Sequence, residues 1–182
     1  LRKPYVVRVP GDYAWEQSVQ RFGVTDSIDE FQTRKQPLRA RLLQRVQSFV
    51  TGHATLVITP SAYFQTLVSG WGVATERNVI IYNGVDLQIA PQIVTKPSTK
   101  TLVTAGRLVE WKGIDALISL LVTLPDWHLV IVGDGPQRTA LQQLAEAEQV
   151  YDRITFTGSI SREEVFGWCT TADAFVLNTY FE

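Results

Sequence analysis

The chain has 182 residues, 45% of them hydrophobic and 19% charged, so it can form one large or two small globular domains and is too apolar to be disordered. The net charge is −1, and no nucleic-acid partner is expected. A single cysteine, Cys169, excludes a disulfide framework. No apolar run approaches the roughly 20 residues of a membrane-spanning helix, and two distant histidines, His53 and His128, predict no metal site.

The first half of the sequence predicts strands and helices of an α/β domain. Short apolar runs at 6–9, 55–59 and 78–82 are typical of strands. Residues 26–36 are polar and are expected to be irregular. A helix is predicted from Ser61, as its N-cap, to the glycines at 70 and 72.

Another helix is predicted over residues 37–50, and it combines apolar residues with positive charge. Its apolar residues recur at helical spacing, and they are Leu38, Leu42, Val46, Phe49 and Val50. Several arginines, including Arg41 and Arg45, are expected on the opposite face. A solvated basic face explains this pattern without any partner.

A linker is predicted over residues 87–100, which contain two prolines and no clear periodicity. It separates a first domain, 1–86, from a second, 101–182. In the second domain strands at 101–105, 127–132, 153–157 and 173–177 alternate with helices. Such alternation predicts a doubly wound parallel sheet with its ligand site at the edge formed by the strands' carboxyl ends.

Four groups of residues follow the strands and are expected to meet at that edge. They are Gly106-Arg107, Gly133-Asp134-Gly135, Gly158-Ser159-Ile160 and residues 178–182. Glycines allow close approach of the backbone, and helix N-termini offer N–H groups to anions. Arg107 and Lys112 add positive charge there, although both could instead be surface cations paired with Glu110 or Asp115.

The order of motifs along the chain resembles family 4 glycosyltransferases. Residues 106–113, GRLVEWKG, are similar to the GRLxxxKG motif of that family, and residues 132–136 are similar to its VGDGP loop. Further resemblances lie at 156–160 (FTGSI), 172–177 (ADAFVL), 59–61 (TPS) and 79–86 (VIIYNGVD). Tyr82 stands where the last of these motifs usually has proline.

The resemblance implies the GT-B fold, which has two Rossmann-like domains, both incomplete in this chain. It also implies donor-binding residues, which are Gly106, Arg107, Lys112, Gly133, Ile160 and Glu182. Arg107 and Lys112 would hold the diphosphate of a nucleotide sugar and take the place of a metal, so no cofactor is expected. Glu182 would be the first carboxylate of a Glu-x7-Glu motif and would approach the donor sugar.

On the acceptor side, the resemblance makes Asp12 a candidate because relatives often carry His-Asp at this place. A turn-forming role explains Asp12 nearly as well. Relatives with lipid-linked acceptors often dock on membranes through the first domain, so the helix over 37–50 is a candidate for contact with anionic lipid.

We therefore predict a retaining glycosyltransferase that uses a nucleotide sugar and a carbohydrate or lipid-linked acceptor in polysaccharide or glycolipid synthesis. We expect it to be cytoplasmic, with possible peripheral contact with the membrane. The alternatives are a GT-B sugar-nucleotide epimerase and a non-catalytic relative. A nicotinamide enzyme is disfavoured, because Arg138 occupies the third glycine position of GxGxxG. Since the sequence lacks Met and ends after an apolar run, we expect an internal, inactive piece of a longer enzyme.

Overall fold

The computed structural model describes residues 3–86 and 88–180. The chain divides into two compact units, residues 1–85 and 86–182. Each unit is built around one parallel sheet. Both units are therefore α/β, as the sequence predicts.

Among the described residues, the first unit contains three short strands and four α-helices. In chain order these are β1 (Val6–Arg8), α1 (Tyr13–Phe22), α2 (Ile28–Thr33), α3 (Leu38–Gly52), β2 (Leu56–Thr59), α4 (Ala62–Gly70) and β3 (Asn78–Ile80). The strands lie in the order β1-β2-β3, and all pairs are parallel. Valines at positions 9, 57, 68 and 73 form much of the core beside this sheet.

Helix α2 corrects the prediction that residues 26–36 are irregular. Ser27 Oγ accepts a hydrogen bond from the Glu30 N–H, while Glu30 Oε2 accepts one from the Ser27 N–H. This capping box satisfies two backbone donors that a helix start leaves unpaired. Ile28 and Phe31, three residues apart, are fully buried. The helix forms because the capping box and the burial of Ile28 and Phe31 outweigh the polar composition of the segment.

Helix α3 has its apolar residues on the solvent side of the first unit. Leu38 is 81% exposed, and the side chains exposed with it are Leu42, Val46, Phe49 and Val50. Its buried residues are instead Ala40 and Thr51. At 100° per residue, Arg41 and Arg45 lie beside the apolar stripe rather than opposite it. The predicted placement of the arginines on the opposite face is therefore wrong.

Among the described residues, the second unit contains four strands and three α-helices. They are β4 (Lys100–Ala105), α5 (Ile114–Val122), β5 (Trp127–Val132), α6 (Arg138–Ala147), β6 (Ile154–Gly158), α7 (Arg162–Thr171) and β7 (Ala174–Phe175). Parallel pairing gives the order β6-β5-β4-β7. Strand order thus reverses at β4, and such a switch point is where open parallel sheets bind ligands.

Both faces of the second sheet are covered. One face packs leucines and isoleucines of α5 and α6, including Leu117, Ile118 and Leu141, against Leu129 and Ile131. The other face buries Val103, Val130 and Val132 beneath residues of α7. Two covered faces explain why these strands are nearly continuous apolar runs.

Residues 88–97 form no helix or strand, yet part of this segment packs on the second unit. The Gln92 N–H donates to Glu163 O at 2.9 Å, and a Cβ on Gly167 would lie 2.1 Å from Gln92 O. Lys96 Nζ lies 2.7 Å from Asp173 Oδ2, and this contact lowers the pKa of Asp173. The linker boundaries at 87 and 100 stay a prediction.

Candidate functional site

The loops after β4 and β5 touch through their backbones, and glycine makes this possible. Gly133 has φ +130°, and a Cβ there would lie 1.9 Å from Gly106 O. A Cβ on Gly135 would lie 2.4 Å from Leu108 O. Any side chain at either position would displace backbone, so the two loops need glycine for their close approach.

Hydrogen bonds join the same loops. The Leu108 N–H donates to Asp134 O at 3.0 Å, and the Gln137 N–H donates to Leu108 O at 3.1 Å. The Gly133 N–H donates to Gly158 O at 3.0 Å, which links the loops after β5 and β6. The edge of the sheet is therefore a continuous, internally bonded backbone surface.

Arg107 and Lys112 lie on the turn that follows β4. The turn contains a 3-10 segment over Glu110–Lys112 and ends at Gly113, whose φ of +57° is left-handed. Arg107 is exposed, Lys112 is half-buried, and Lys112 Cε lies 4.0 Å from the position of a Cβ on Gly106. The turn thus brings the predicted lysine against the predicted glycine loop.

The segment after β7 holds this turn from the other side. Asn178 Nδ2 donates to Gly113 O at 2.8 Å, and a Cβ on Gly113 would lie 2.4 Å from Asn178 O. Thr179 Oγ1 and the Tyr180 N–H both donate to Trp111 O, at 3.1 and 2.8 Å. The carbonyls on both sides of Lys112 are therefore fixed, which restricts where its ammonium can reach.

The third loop of the edge contains Ile160 and leads into α7. Ile160 packs partly buried against the valine cluster of β4 and β5. Ser161 and Glu164 form a capping box, so the start of α7 is satisfied by its own side chains. Next to this loop, Arg138 Nη1 lies 3.1 Å from Asp134 Oδ2.

The chemistry of this arrangement suits a phosphorylated ligand. Glycine loops let phosphate oxygens approach the backbone, and the turn that carries Arg107 and Lys112 supplies positive charge. A Lys or Arg contact to phosphate contributes roughly 1.5–3 kcal/mol. Of the predicted donor residues, the structure brings together Gly106, Lys112 and Gly133.

Glu182 lies outside the described residues, so its predicted role stays a prediction. Asp12 is only 1% exposed, and its carboxylate accepts hydrogen bonds from the Trp15 N–H, Gln32 Nε2 and Gln47 Nε2. The bond from the Trp15 N–H makes Asp12 the N-cap of α1, so its carboxylate has a local structural role, as the turn-forming alternative supposed. Its contact with an acceptor stays a prediction.

Comparison with known proteins supplies the family. The family model described as "Glycosyl transferases group 1" matches residues 87–182, which include the whole edge described above. The chain belongs to the glycosyl transferases group 1 family. The predicted resemblance to family 4 glycosyltransferases is thereby confirmed.

Individual relatives of this group 1 chain are also named as glycosyltransferases. It is 32% identical over 141 residues to the lipopolysaccharide core biosynthesis glycosyltransferase LpsD of Rhizobium meliloti, covering 74% of this chain and 39% of LpsD. It is 33% identical over 91 residues to one component of the human phosphatidylinositol N-acetylglucosaminyltransferase, covering 47% of this chain and 19% of that protein. The chain thus spans well under half the length of these relatives.

Solved structures confirm the predicted GT-B fold. The crystal structure of Anabaena HepE in complex with UDP-glucose superposes with a TM-score of 0.72 at 22% identity, covering 98% of this chain and 47% of HepE. The two parallel sheets of this chain therefore correspond to GT-B architecture.

Sequence reasoning placed residues 178–182 at this edge but did not predict that Asn178 and Thr179 hold the turn that carries Lys112. Asparagine and threonine after a strand are typical of any turn, so their chemistry gave no signal. The closeness of β7 to β4 reveals their role, because it places residues 178–180 against the turn at 106–113. Strand order is not visible in local sequence.

The described residues also bear on metals and membranes. In residues 3–86 and 88–180, no three His, Cys, Asp or Glu side chains cluster as metal ligands would. Over the same ranges, no helix has the length and apolar content that crossing a membrane requires.

Proposed function

We propose that this group 1 chain carries the donor site of a retaining glycosyltransferase that moves a sugar from a nucleotide-diphosphate sugar to an acceptor hydroxyl. Arg107 and Lys112 bind the diphosphate in this proposal. The supporting observation is the turn at 106–113, which packs Lys112 against Gly106 at the switch point of the sheet. The structure of HepE with UDP-glucose is consistent with such a donor.

The two cations have a role in the chemistry as well as in binding. An acceptor oxygen bonds to the anomeric carbon on the face from which the diphosphate leaves, and the acceptor's proton passes to the departing diphosphate. Negative charge therefore grows on the diphosphate as its bond to the sugar breaks. A lysine and an arginine held beside these oxygens stabilise that charge without a metal. Glu182 contacts the donor sugar in this scheme, and Ile160 meets the base through its backbone.

The acceptor is proposed to be a carbohydrate or a lipid-linked sugar. LpsD is named for lipopolysaccharide core biosynthesis, and the human relative is named for phosphatidylinositol. Both names fit polysaccharide or glycolipid synthesis. We place the enzyme in the cytoplasm, with peripheral contact with the membrane.

Helix α3 is the proposed membrane contact. Its exposed apolar stripe, 38–50, has Arg45 beside it and Arg39 also exposed. An amphipathic helix of this kind inserts its apolar face below the headgroups while the arginines pair with anionic lipid. The interpretation of α3 as a purely solvated basic face does not explain why the apolar side chains of this stripe are exposed.

Substitution of the two cations in the full-length protein tests the donor assignment. Arg107→Ala and Lys112→Ala should each lower turnover by at least about tenfold, equivalent to about 1.4 kcal/mol of transition-state stabilisation. Lys100→Ala is the matched control, since it removes a cation from the opposite end of β4. Unchanged turnover in both site variants would overturn the diphosphate assignment.

The anomeric configuration of the product separates the remaining alternatives. A retaining transferase gives a product with the configuration of the donor, which proton NMR measures directly. Release of an epimerised sugar without an acceptor would favour the epimerase. Tight binding of the nucleotide sugar with no product at all would favour a non-catalytic relative.

A further inference from the structure

A cavity lies in the first unit, apart from the donor-side residues. It has a volume of about 460 Å³ and is bordered by α2, α3 and α4. This volume lies in the range of roughly 300–1,000 Å³ that small-molecule sites occupy. The proposed donor chemistry makes no use of it.

The described residues that line the cavity are mainly polar, and none of them is ionisable. Three side chains are amides (Gln32, Gln44, Gln47), two are hydroxyls (Ser48, Thr66), and the others are Leu67, Gly70 and Trp71. A phosphate or carboxylate would enter without a cation to balance its charge, which is costly. A purely apolar ligand would strip water from the amides without replacing their hydrogen bonds. The walls therefore favour a neutral ligand with many hydroxyls.

Several of these side chains are fixed before any ligand enters. Trp71 Nε1 donates to Gln32 Oε1 at 3.0 Å, and Gln32 Nε2 donates to Asp12 Oδ2 at 2.8 Å. Gln47 Nε2 donates to the other oxygen of Asp12 at 3.1 Å, and Gln47 Oε1 accepts from the Ala14 N–H. The buried carboxylate thus orients two amides and, through Gln32, an indole. Preorganised polar groups lose little entropy when they bind.

Other groups at the wall keep hydrogen-bonding capacity. Gln44 Nε2 donates to Phe31 O at 3.2 Å. Among the residues that the structure describes, neither Gln44 Oε1 nor Ser48 Oγ makes a hydrogen bond. An amide oxygen accepts hydrogen bonds, and a serine hydroxyl both donates and accepts. Together they can pair with adjacent hydroxyls on one ligand.

We propose that this cavity binds a sugar unit of a neutral carbohydrate through its hydroxyls. Gln44, Gln47 and Ser48 recognise the hydroxyls, and the half-buried ring of Trp71 offers an apolar surface to the sugar's C–H groups. The cavity lies in the first unit, whereas the donor edge lies in the second, and its proposed ligand does not depend on the proposed transfer reaction. If that reaction is as proposed, an acceptor glycan is one carbohydrate that the cavity would hold.

Two glycines provide a matched pair of variants. Gly70 lines the cavity and Gly52 does not, while both lie in helices and an added Cβ at either would meet no atom within 4 Å. Leucine is a better helix former than glycine, so neither Gly70→Leu nor Gly52→Leu should unfold the protein. Only Gly70→Leu places a large side chain at the wall of the cavity.

The experiment is saturation-transfer NMR on the full-length protein with maltose, cellobiose, lactose, mannobiose and myo-inositol as probes. At least one probe should bind saturably, and Gly70→Leu should weaken this binding at least tenfold while Gly52→Leu leaves it unchanged. Ser48→Ala should weaken it about two- to tenfold, through loss of one hydrogen bond. UDP, GDP and ADP should not displace the probe.

Three results would overturn the proposal. One is the absence of saturable binding by every probe. Another is equal binding by Gly70→Leu and Gly52→Leu, with both variants shown by circular dichroism to be folded. The third is displacement of the sugar by a nucleoside diphosphate, which would place the sugar at the donor edge. Loss of transferase activity in Arg107→Ala bears only on the proposed function, because Arg107 lies in the other unit.

Discussion

Replacement of Gly133 by alanine tests whether the backbone contact between the loops after β4 and β5 is essential. The new Cβ would lie 1.9 Å from Gly106 O, whereas ordinary contacts are 3.4–4 Å. Residues with a Cβ, such as alanine, also rarely adopt the φ of +130° found at this position. Strain of this kind costs about 1–3 kcal/mol, and forced displacement of packed atoms costs about 1–3 kcal/mol more.

The matched control is Gly158→Ala in the same sheet edge. Gly158 has φ +71°, but its added Cβ would lie 3.2 Å from Arg138 Nη1, the end of a side chain that can move. Its cost should therefore be the strain alone, about 1–3 kcal/mol, against about 2–6 kcal/mol for Gly133→Ala. Urea titration of both variants measures the difference in the free energy of unfolding. Equal destabilisation would refute the claim that backbone contact at Gly133 requires glycine.

Three further predictions follow from other parts of the chain. Asn178→Ala should weaken nucleoside diphosphate binding by the full-length protein about fivefold in calorimetry, because Gly113 O loses a hydrogen bond worth about 1 kcal/mol. Unchanged affinity would show that Asn178 does not position the turn. Arg45→Gln should lower the affinity for vesicles that contain phosphatidylglycerol about fivefold in cosedimentation, because each arginine contributes about 1 kcal/mol to contact with anionic lipid. Lys100→Gln should leave this affinity unchanged. Equal binding of the unsubstituted protein to pure phosphatidylcholine vesicles would contradict the electrostatic contact. Burial and the charge of Arg153 lower the pKa of His128 below 6.5, so its contribution to stability is complete above pH 6.5 and declines as the pH falls below that value. His128→Gln should flatten this acid-side decline in urea titrations, and an unaltered profile would exclude His128 as its source.

The second unit was largely predictable, because its strands and helices alternate with strong periodicity. A strand such as 127–132 is apolar throughout and can only be buried on both faces. The glycine turns at 106–113 and 132–136 were also visible in the sequence, but the contact between the two loops that requires glycine at 133 and 135 was not. The predicted strand ends were less accurate, because β7 is Ala174–Phe175 whereas the sequence predicted a strand over 173–177.

The first unit was harder to predict, because local pattern and tertiary contact disagree there. The stripe of α3 has helical periodicity, which by itself indicates a core face, yet the face that packs inward is made by smaller and polar residues such as Ala40 and Thr51. Helix α2 was missed although Ser27 and Glu30 form a recognisable capping box. In both cases the local pattern was misleading, because it does not show which residues of a helix will pack against the neighbouring helices.

The central claim is that the turn carrying Arg107 and Lys112 binds a diphosphate, and calorimetry on the full-length protein tests it most directly. UDP, GDP and ADP are titrated, and the nucleotide that binds most tightly is compared with its monophosphate and its nucleoside. The diphosphate should bind at least tenfold more tightly than the nucleoside, and Lys112→Ala should remove most of that difference while Lys100→Ala preserves it. Equal affinity for diphosphate and nucleoside, or a difference that Lys112→Ala leaves intact, would contradict the account.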